Sequence, residues 1–348
     1  MEVGVLSRQS VGKKLEPMQT KQNPIQTCLL CAFLLIASSA QAQNLFVANE
    51  FGGHIYEYTP GGVRSTFASG LNEPTGLAFN RAGDLFVANS GNGNIYEFTP
   101  GGVQSTFAHI LSSPEGLAFN RAGVLFEADY GSGNIYEFTP GGARSTFASG
   151  LVAPQGLAFN SAGDLFVADL WNGNITEIKS GGAKSTFATG LDTPWGLAFN
   201  SAGDLFVADG SGDIYEFTPS GVRSTFASGL DEPFGLAFNS AGDLFEADYG
   251  SGNIYEFTPS GVRSTFASGL TEPYALAFQP VPDLVASDTN GVFKLTVSMP
   301  SPYYSTIIQA STNLVNWVNV YTNTPPFTFT DSKAKGKSSR FYRGLLGP

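Results

Sequence analysis

From Leu45 onward, short apolar runs alternate with clusters of turn residues, and the alternation repeats. The unit opening at Gly156 contains four such runs: GLAFN, LFVAD, NITEI and STFAT, here termed A, B, C and D. Each run is rich in Phe, Ile, Val, Tyr or Thr and is bounded by Gly, Pro, Asn, Asp or Ser, which predicts a short strand between tight turns. The Phe of run B falls at positions 46, 86, 126, 166, 206 and 245, at spacings of 40, 40, 40, 40 and 39. Four strands recurring at that period predict the blades of a β-propeller.

The order of the runs sets the blade number. Runs B, C and D each occur six times, from Leu45 to Gly269, and run A also occurs six times but offset, first at Gly76 and last at Ala275. The chain thus enters on a B strand and leaves on an A strand. Pairing the last A with the first B closes the ring, and an all-β, six-bladed propeller of four-stranded blades is expected over residues 43–280.

The turns fit this reading. Thr-Pro-Gly-Gly at 59–62 puts Pro and Gly at the centre of a tight C–D hairpin. With Pro60 and Gly61 as the central pair, Glu57 faces Arg64, and Glu137, Glu177, Glu216 and Glu256 face Arg144, Lys184, Arg223 and Arg263. Opposite charges across a hairpin contribute about 0.2–1 kcal/mol per pair, so the recurrent Glu reads as structural. Glu97 alone meets a neutral Gln104.

The first 42 residues differ from the rest. Lys13, Lys14 and Lys21 precede an apolar run at 28–37, and Ser-Ser-Ala-Gln-Ala at 38–42 follows. This is the layout of a signal peptide, with Met18 giving a leader of ordinary length and Gln43 opening the mature chain. The apolar run is too short to span a bilayer of about 30 Å. Both cysteines, Cys28 and Cys31, lie within it, so their C-x-x-C spacing is assigned to the leader and no disulfide is expected in the mature chain. Leu30 before Cys31 disfavours lipidation. Export to the periplasm, cell surface or medium is expected.

After Pro280 the repeat stops. Residues 281–291 read as a linker, and strands are expected at 292–298, 305–311, 317–322 and 327–331 in a small all-β module over 292–348. Lys333, Lys335 and Lys337 read as a solvated basic loop.

The net charge is −11, and residues 1–42 contribute +2, which leaves −13 on the remainder. A chain so acidic is a poor partner for nucleic acid or anionic membranes.

The motif P-x-G-L-A-F-N-x-A-G-D-L-F-V-A-D-x-x-x-G-N-I-Y-E-F resembles an NHL-type repeat and the blades of the SMP-30/gluconolactonase and streptogramin-lyase-like propellers, over about residues 44–280. The stretch from Gln309 to Trp317 and the ending Arg340-Phe341-Tyr342-Arg343 resemble a fibronectin-III-like C-terminal module of exported bacterial proteins. The resemblance implies that run A is innermost and that the x of P-x-G opens on a central pocket, where SMP-30-like lactonases draw metal ligands from comparable turns. Here x is Thr75, Glu115, Gln155, Trp195, Phe234 and Tyr274. Glu115 is the one acidic candidate, a thin set for Ca²⁺, which takes six to eight oxygens.

The same six residues suit a binding pocket, with a polar wall facing an aromatic one, as fits a sugar or another ligand with one apolar face. They equally suit a plug of large side chains filling the axis. The A–B and C–D turns on one face of the ring are nearly invariant, whereas the D–A and B–C turns on the other vary, with Glu50-Phe51, Tyr130, Leu170-Trp171 and Tyr249 among them. His54 and His109, the candidates for a lyase-type base, fall where other copies carry turn residues. Asp129, Asp169, Asp209 and Asp248, with Asn49 and Asn89, close the B runs and read as turn caps. Glu127 and Glu246 replace the Val of run B, reaching either the pocket or a blade edge. The favoured expectation is a binding propeller without a cofactor, contacting a small molecule, glycan or protein through its variable face. The alternative is a metal-assisted hydrolase or lyase using Glu115.

Overall fold

A computed structural model describes residues 43–280 and, beyond them, strands Asp283–Thr289, Val292–Ser298, Thr306–Ser311, Val318–Asn323, Phe327–Asp331 and Phe341–Leu346. The expected leader (1–42) and the basic loop at Lys333, Lys335 and Lys337 lie outside the described residues. Among the described residues no helix is long and apolar enough to cross a membrane.

Residues 43–280 form six antiparallel four-stranded blades, each ordered A-B-C-D. Burial follows that order. The B strands, such as Leu85–Asn89, are buried at every position, the C strands alternate, and the D strands, such as Gln104–Ala108, are largely exposed. The ring closes as the run order requires. Strand Pro273–Phe278 pairs with Leu45–Asn49, so the first blade combines the last A strand with the first B, C and D. Side chains reinforce the closure: the Gln43 amide donates to the Gln279 carbonyl at 3.0 Å, and its oxygen accepts the Ser240 N–H at 2.7 Å.

Between blades, packing repeats a single aromatic clamp. The B-strand Phe of each blade is held edge-on between the D-strand Phe of its own blade and the A-strand Phe of the next. Phe166 does so with Phe187 and Phe199, both at 5.0 Å, and Phe245 with Phe266 and Phe278 at 5.1 and 5.0 Å, across the closure. Edge-to-face pairs contribute about 0.5–1.5 kcal/mol beyond their buried area. Aliphatic side chains fill most of the rest, although at two interfaces a buried Glu127 or Glu246 takes the place of a B-strand Val. Val167 of the fourth blade, for example, packs with Phe126, Ala128 and Ile135 of the third.

The C–D hairpins differ from expectation by one residue. The Gly62 N–H bonds to Thr59 O at 2.8 Å, Thr59 N–H bonds to Val63 O at 3.0 Å, and Gly62 has φ +77°. The loop is therefore a turn plus a left-handed glycine bulge. Tyr58 pairs with Arg64 and Glu57 with Ser65, and the other blades follow suit, so the five expected Glu–Arg/Lys pairs do not form. The freed guanidiniums lie over tyrosine rings instead: Arg64 over Tyr56 at 4.9 Å, Arg144 over Tyr136 at 4.8 Å, Arg223 over Tyr215 and Arg263 over Tyr255. Exposed cation–π pairs of this kind are worth about 0.5–1 kcal/mol each.

On the opposite face the residue before each A-strand Pro adopts positive φ: Glu73, Ser113, Ala153, Thr193, Glu232 and Glu272, between 53° and 69°. Asp129 caps its own B–C turn as expected, accepting the Ser132 N–H at 2.9 Å, and the B-strand Asp or Asn also caps this D–A loop. Asp129 accepts the Ser112 N–H at 2.7 Å, and Asn49 accepts that of Thr271 at 3.0 Å.

In the C-terminal region the four expected strands are found, and Phe341–Leu346 is a fifth. The expected linker is corrected: Asp283–Thr289 is a strand, paired in register with Val292–Ser298 as a hairpin. The six strands form two three-stranded sheets.

Candidate functional site

Each A strand begins at the Pro of P-x-G, one residue before the axial position, and the glycine after x lets neighbouring A strands approach around the axis. A Cβ on Gly76 would stand 1.9 Å from Glu115 O, and one on Gly156 would stand 2.2 Å from Trp195 O. This close approach brings the six axial side chains together. Thr75, Glu115, Gln155, Trp195, Phe234 and Tyr274, with the glycines beside them and Ala275, line one cavity of about 70 Å³. That space suits two or so water molecules rather than a sugar ring.

Both halves of the expected arrangement are present, and they pack on each other. Trp195 and Phe234 are stacked at 4.1 Å, and Phe234 stacks on Tyr249 at 4.3 Å. Tyr274 meets Phe234 edge-on at 5.1 Å. The Tyr274 hydroxyl lies 3.0 Å from Glu115 Oε2 and 3.2 Å from Gln155 Oε1. Thr75 turns away and donates to the Pro114 carbonyl at 2.9 Å. The axis is therefore occupied by its own side chains.

Glu115 is the chemical centre of this arrangement. Its Oε1 accepts from Ser90 at 3.2 Å and from Ser113 at 3.3 Å, and the two hydroxyls are 2.8 Å apart. Burial pushes its carboxyl up to about 8, against the hydrogen bonds from Tyr274, Ser90 and Ser113 that favour ionisation. Burial, and then the charge of Glu115, push Tyr274 well above the ordinary phenol range. Beside them, burial raises Glu50 to about 7; a hydrogen bond from Tyr249 opposes the rise, and Glu73 and Glu272 add to it. The result is a carboxyl–phenol–hydroxyl cluster in which burial favours the protonated forms of Glu115 and Tyr274.

Ser90, Ser113, Glu50 and Tyr249 were not picked out as partners from the sequence. They occupy two further variable positions, the residue after each B strand and the residue before each axial Pro, and that variability is the signal that marks them.

The donor set does not fit a divalent cation. Glu115 is the one axial carboxylate, both of its oxygens accept hydroxyl hydrogen bonds, and half of the ring is aromatic. Among the described residues no three His, Cys, Asp or Glu side chains are grouped so as to hold a metal. The histidines lie elsewhere: His54 is stacked on Tyr56 at 5.5 Å, and His109 is exposed at the end of a D strand. Glu127 and Glu246 reach neither the axis nor a blade edge, and both are wholly buried.

Outside the mouth, the variable face carries exposed apolar side chains. Phe51 is 62% exposed and Trp171 61%, and the Trp171 indole N–H reaches the Tyr130 hydroxyl at 3.3 Å. Val152 and Ile110 are exposed on the same face. The large exposed apolar residues of the uniform face are valines: Val63, Val103, Val222 and Val262.

No known family's sequence profile matches the chain, and no curated protein matches it. Solved structures do. A chain of the nidogen/laminin complex superposes with a TM-score of 0.63 at 22% identity, covering 68% of this chain and 98% of that one. A gluconolactonase of Xanthomonas campestris gives 0.56 at 14% identity, covering 74% and 93%. A catalytically inactive virginiamycin B lyase of Staphylococcus aureus, with quinupristin, gives 0.55 at 14% identity, covering 74% and 93%. At these identities the likeness establishes the fold alone, a propeller whose structural neighbours include gluconolactonase-like and streptogramin B lyase-like proteins.

Proposed function

We propose that the chain is an exported binding propeller that takes up a glycan, or failing that a protein, on its variable face. The observation that carries this reading is the asymmetry of the two faces. Exposed aromatic rings, Phe51 and Trp171, occur on the variable face, around a mouth already filled by the Trp195–Phe234–Tyr249 stack. With an axial cavity of about 70 Å³, the contact is a surface one, in which sugar rings stack on the outer aromatics and polar groups bond to Glu50 and its neighbours. No cofactor is required. In this reading residues 1–42 are a leader and the C-terminal strands are a fibronectin-III-like accessory module. Tryptophan fluorescence titration against a panel of oligosaccharides tests it. Binding lost in Trp171→Ala, at unchanged melting temperature, supports the proposal. A panel without response, with no partner protein sensitive to Phe51→Ala or Trp171→Ala, overturns it.

A second reading is favoured by one observation, the buried Glu115 carboxyl, which burial pushes up to about 8, within bonding distance of the Tyr274 phenol. Such a pair suits general acid–base chemistry of the lyase or lactonase type without a metal. Turnover of a lactone or cyclic ester, abolished in Glu115→Gln, supports it.

A further inference from the structure

Four blades carry Val at the middle of the B strand: Val47, Val87, Val167 and Val207, each wholly buried. The third and sixth blades carry Glu127 and Glu246 there, equally buried, and neither oxygen of either carboxyl has a hydrogen-bond partner among the described residues. The slot is the interface with the preceding blade. Val167 packs there against Phe126, Ala128 and Ile135, and Val87 against Phe46, Ala48 and Ile55. Glu127 thus enters the layer formed by Phe86, Ala88 and Ile95 of the second blade, and Glu246 that of Phe206, Ala208 and Ile214 of the fifth. The two carboxyls sit three blades apart, on opposite sides of the ring.

We propose that the propeller carries two opposed proton-sensitive seams, between the second and third and between the fifth and sixth blades, which hold while Glu127 and Glu246 are protonated and loosen when they ionise. An unpaired carboxylate in an apolar layer costs far more than the neutral acid, so the folded ring retains the two protons. The groups facing each site reinforce this. Glu127 has Asp129 on its own strand, Glu115 on the A strand, Tyr136 opposite on the C strand and Arg144 beyond it, while the second blade contributes apolar side chains. Glu246 has Asp248, Tyr255 and Arg263 in the same places, and the fifth blade is likewise apolar. In each case burial raises the carboxyl first, the neighbouring Asp adds, and the Arg opposes.

The seams run into the candidate site. The Ser90–Glu115 hydrogen bond joins the second blade to the third, and the Trp195–Phe234 stack joins the fifth to the sixth. Loosening either seam therefore alters the mouth, and the two halves that separate are blades three to five and blades six, one and two.

The test is thermal unfolding of the full chain from pH 5.5 to 9.5, comparing the natural protein with Glu127→Val/Glu246→Val, which restores the residue of the other four blades, and with Glu127→Gln/Glu246→Gln. The natural protein is expected to lose roughly 5 °C or more relative to both variants as pH rises. Hydrogen exchange at pH 9, corrected for intrinsic rate, is expected to show protection lost first in Leu125–Asp129 and Leu244–Asp248 and later in Leu165–Asp169. Parallel melting curves for the three proteins, or protection lost evenly around the ring, overturn the proposal.

Discussion

The Tyr274 hydroxyl meets Glu115 Oε2 at 3.0 Å, linking the last A strand of the chain to one 159 residues earlier, on the other side of Thr75. A phenol held this way is both a strut across the axis and a donor that partly offsets the burial of a carboxyl. Tyr274→Phe keeps the ring and removes the donor. It is expected to raise the Glu115 pKa further and to destabilise by about 1–3 kcal/mol, the cost of a lost bond to a charged or buried group. Thermal unfolding at pH 6 and pH 8.5 checks this, with the larger loss expected at the higher pH.

The pH dependence of the natural protein has a definite sign. Glu50 and Glu115 are raised to about 7 and about 8 in the folded chain, so between the ordinary carboxylate range and those values it binds more protons than the unfolded chain. Stability is then full at about pH 4–5 and falls as pH rises through 7 and 8. The melting temperature is expected to decline from pH 5 to pH 9, and Glu115→Gln to flatten the decline. A melting temperature that climbs over this range would contradict the assignment.

Ile110 is the odd residue among its equivalents. The other five blades place Gly70, Gly150, Gly190, Gly229 and Gly269 there, at φ 71–76°, whereas Ile110 adopts φ 61° with 80% of its surface exposed. A β-branched residue held in the left-handed region costs about 1–2 kcal/mol. Ile110→Gly is expected to stabilise the protein by roughly 0.5–1 kcal/mol net of glycine's entropy, seen as a rise of about 1–4 °C in melting temperature. The same substitution removes an apolar group from the variable face, so weaker partner binding alongside higher stability would mark Ile110 as a contact residue.

Around the axis, Gly156→Ala drives a methyl to 2.2 Å from Trp195 O, so adjacent A strands must separate. Overpacking at such a contact costs about 1–3 kcal/mol. Ala275 already occupies the equivalent place in the first blade, and Ala275→Gly is expected to be near neutral. Paired denaturant titrations of the two variants check the contrast.

Much of the ring was legible from residue order. The period gave the blade, and the offset of run A gave both the number six and the closure by Pro273–Phe278. The axial six were legible because x in P-x-G varies where its surroundings do not. Three things were hidden. The extra left-handed glycine at Gly62 shifts the C–D pairing by one residue, and a motif that reads as a tight turn does not reveal the bulge. Strand alternation shows that Glu127 and Glu246 point out of the sheet with the valines but not what covers that face, which depends on the neighbouring blade. The serines around Glu115 come from two different loops, so only the folded ring juxtaposes them.

Closure by Pro273–Phe278 also orders the events of synthesis. Five blades are built from contiguous sequence and can form as the chain emerges, but the first must wait for a strand made more than 220 residues after its partner. Until then Leu45–Asn49, buried at every position in the finished ring, is an uncovered apolar edge. A nascent chain halted before residue 278 is thus a nearly complete array with an adhesive first strand, and ring formation is the late, long-range step that limits how fast the protein becomes safe from aggregation.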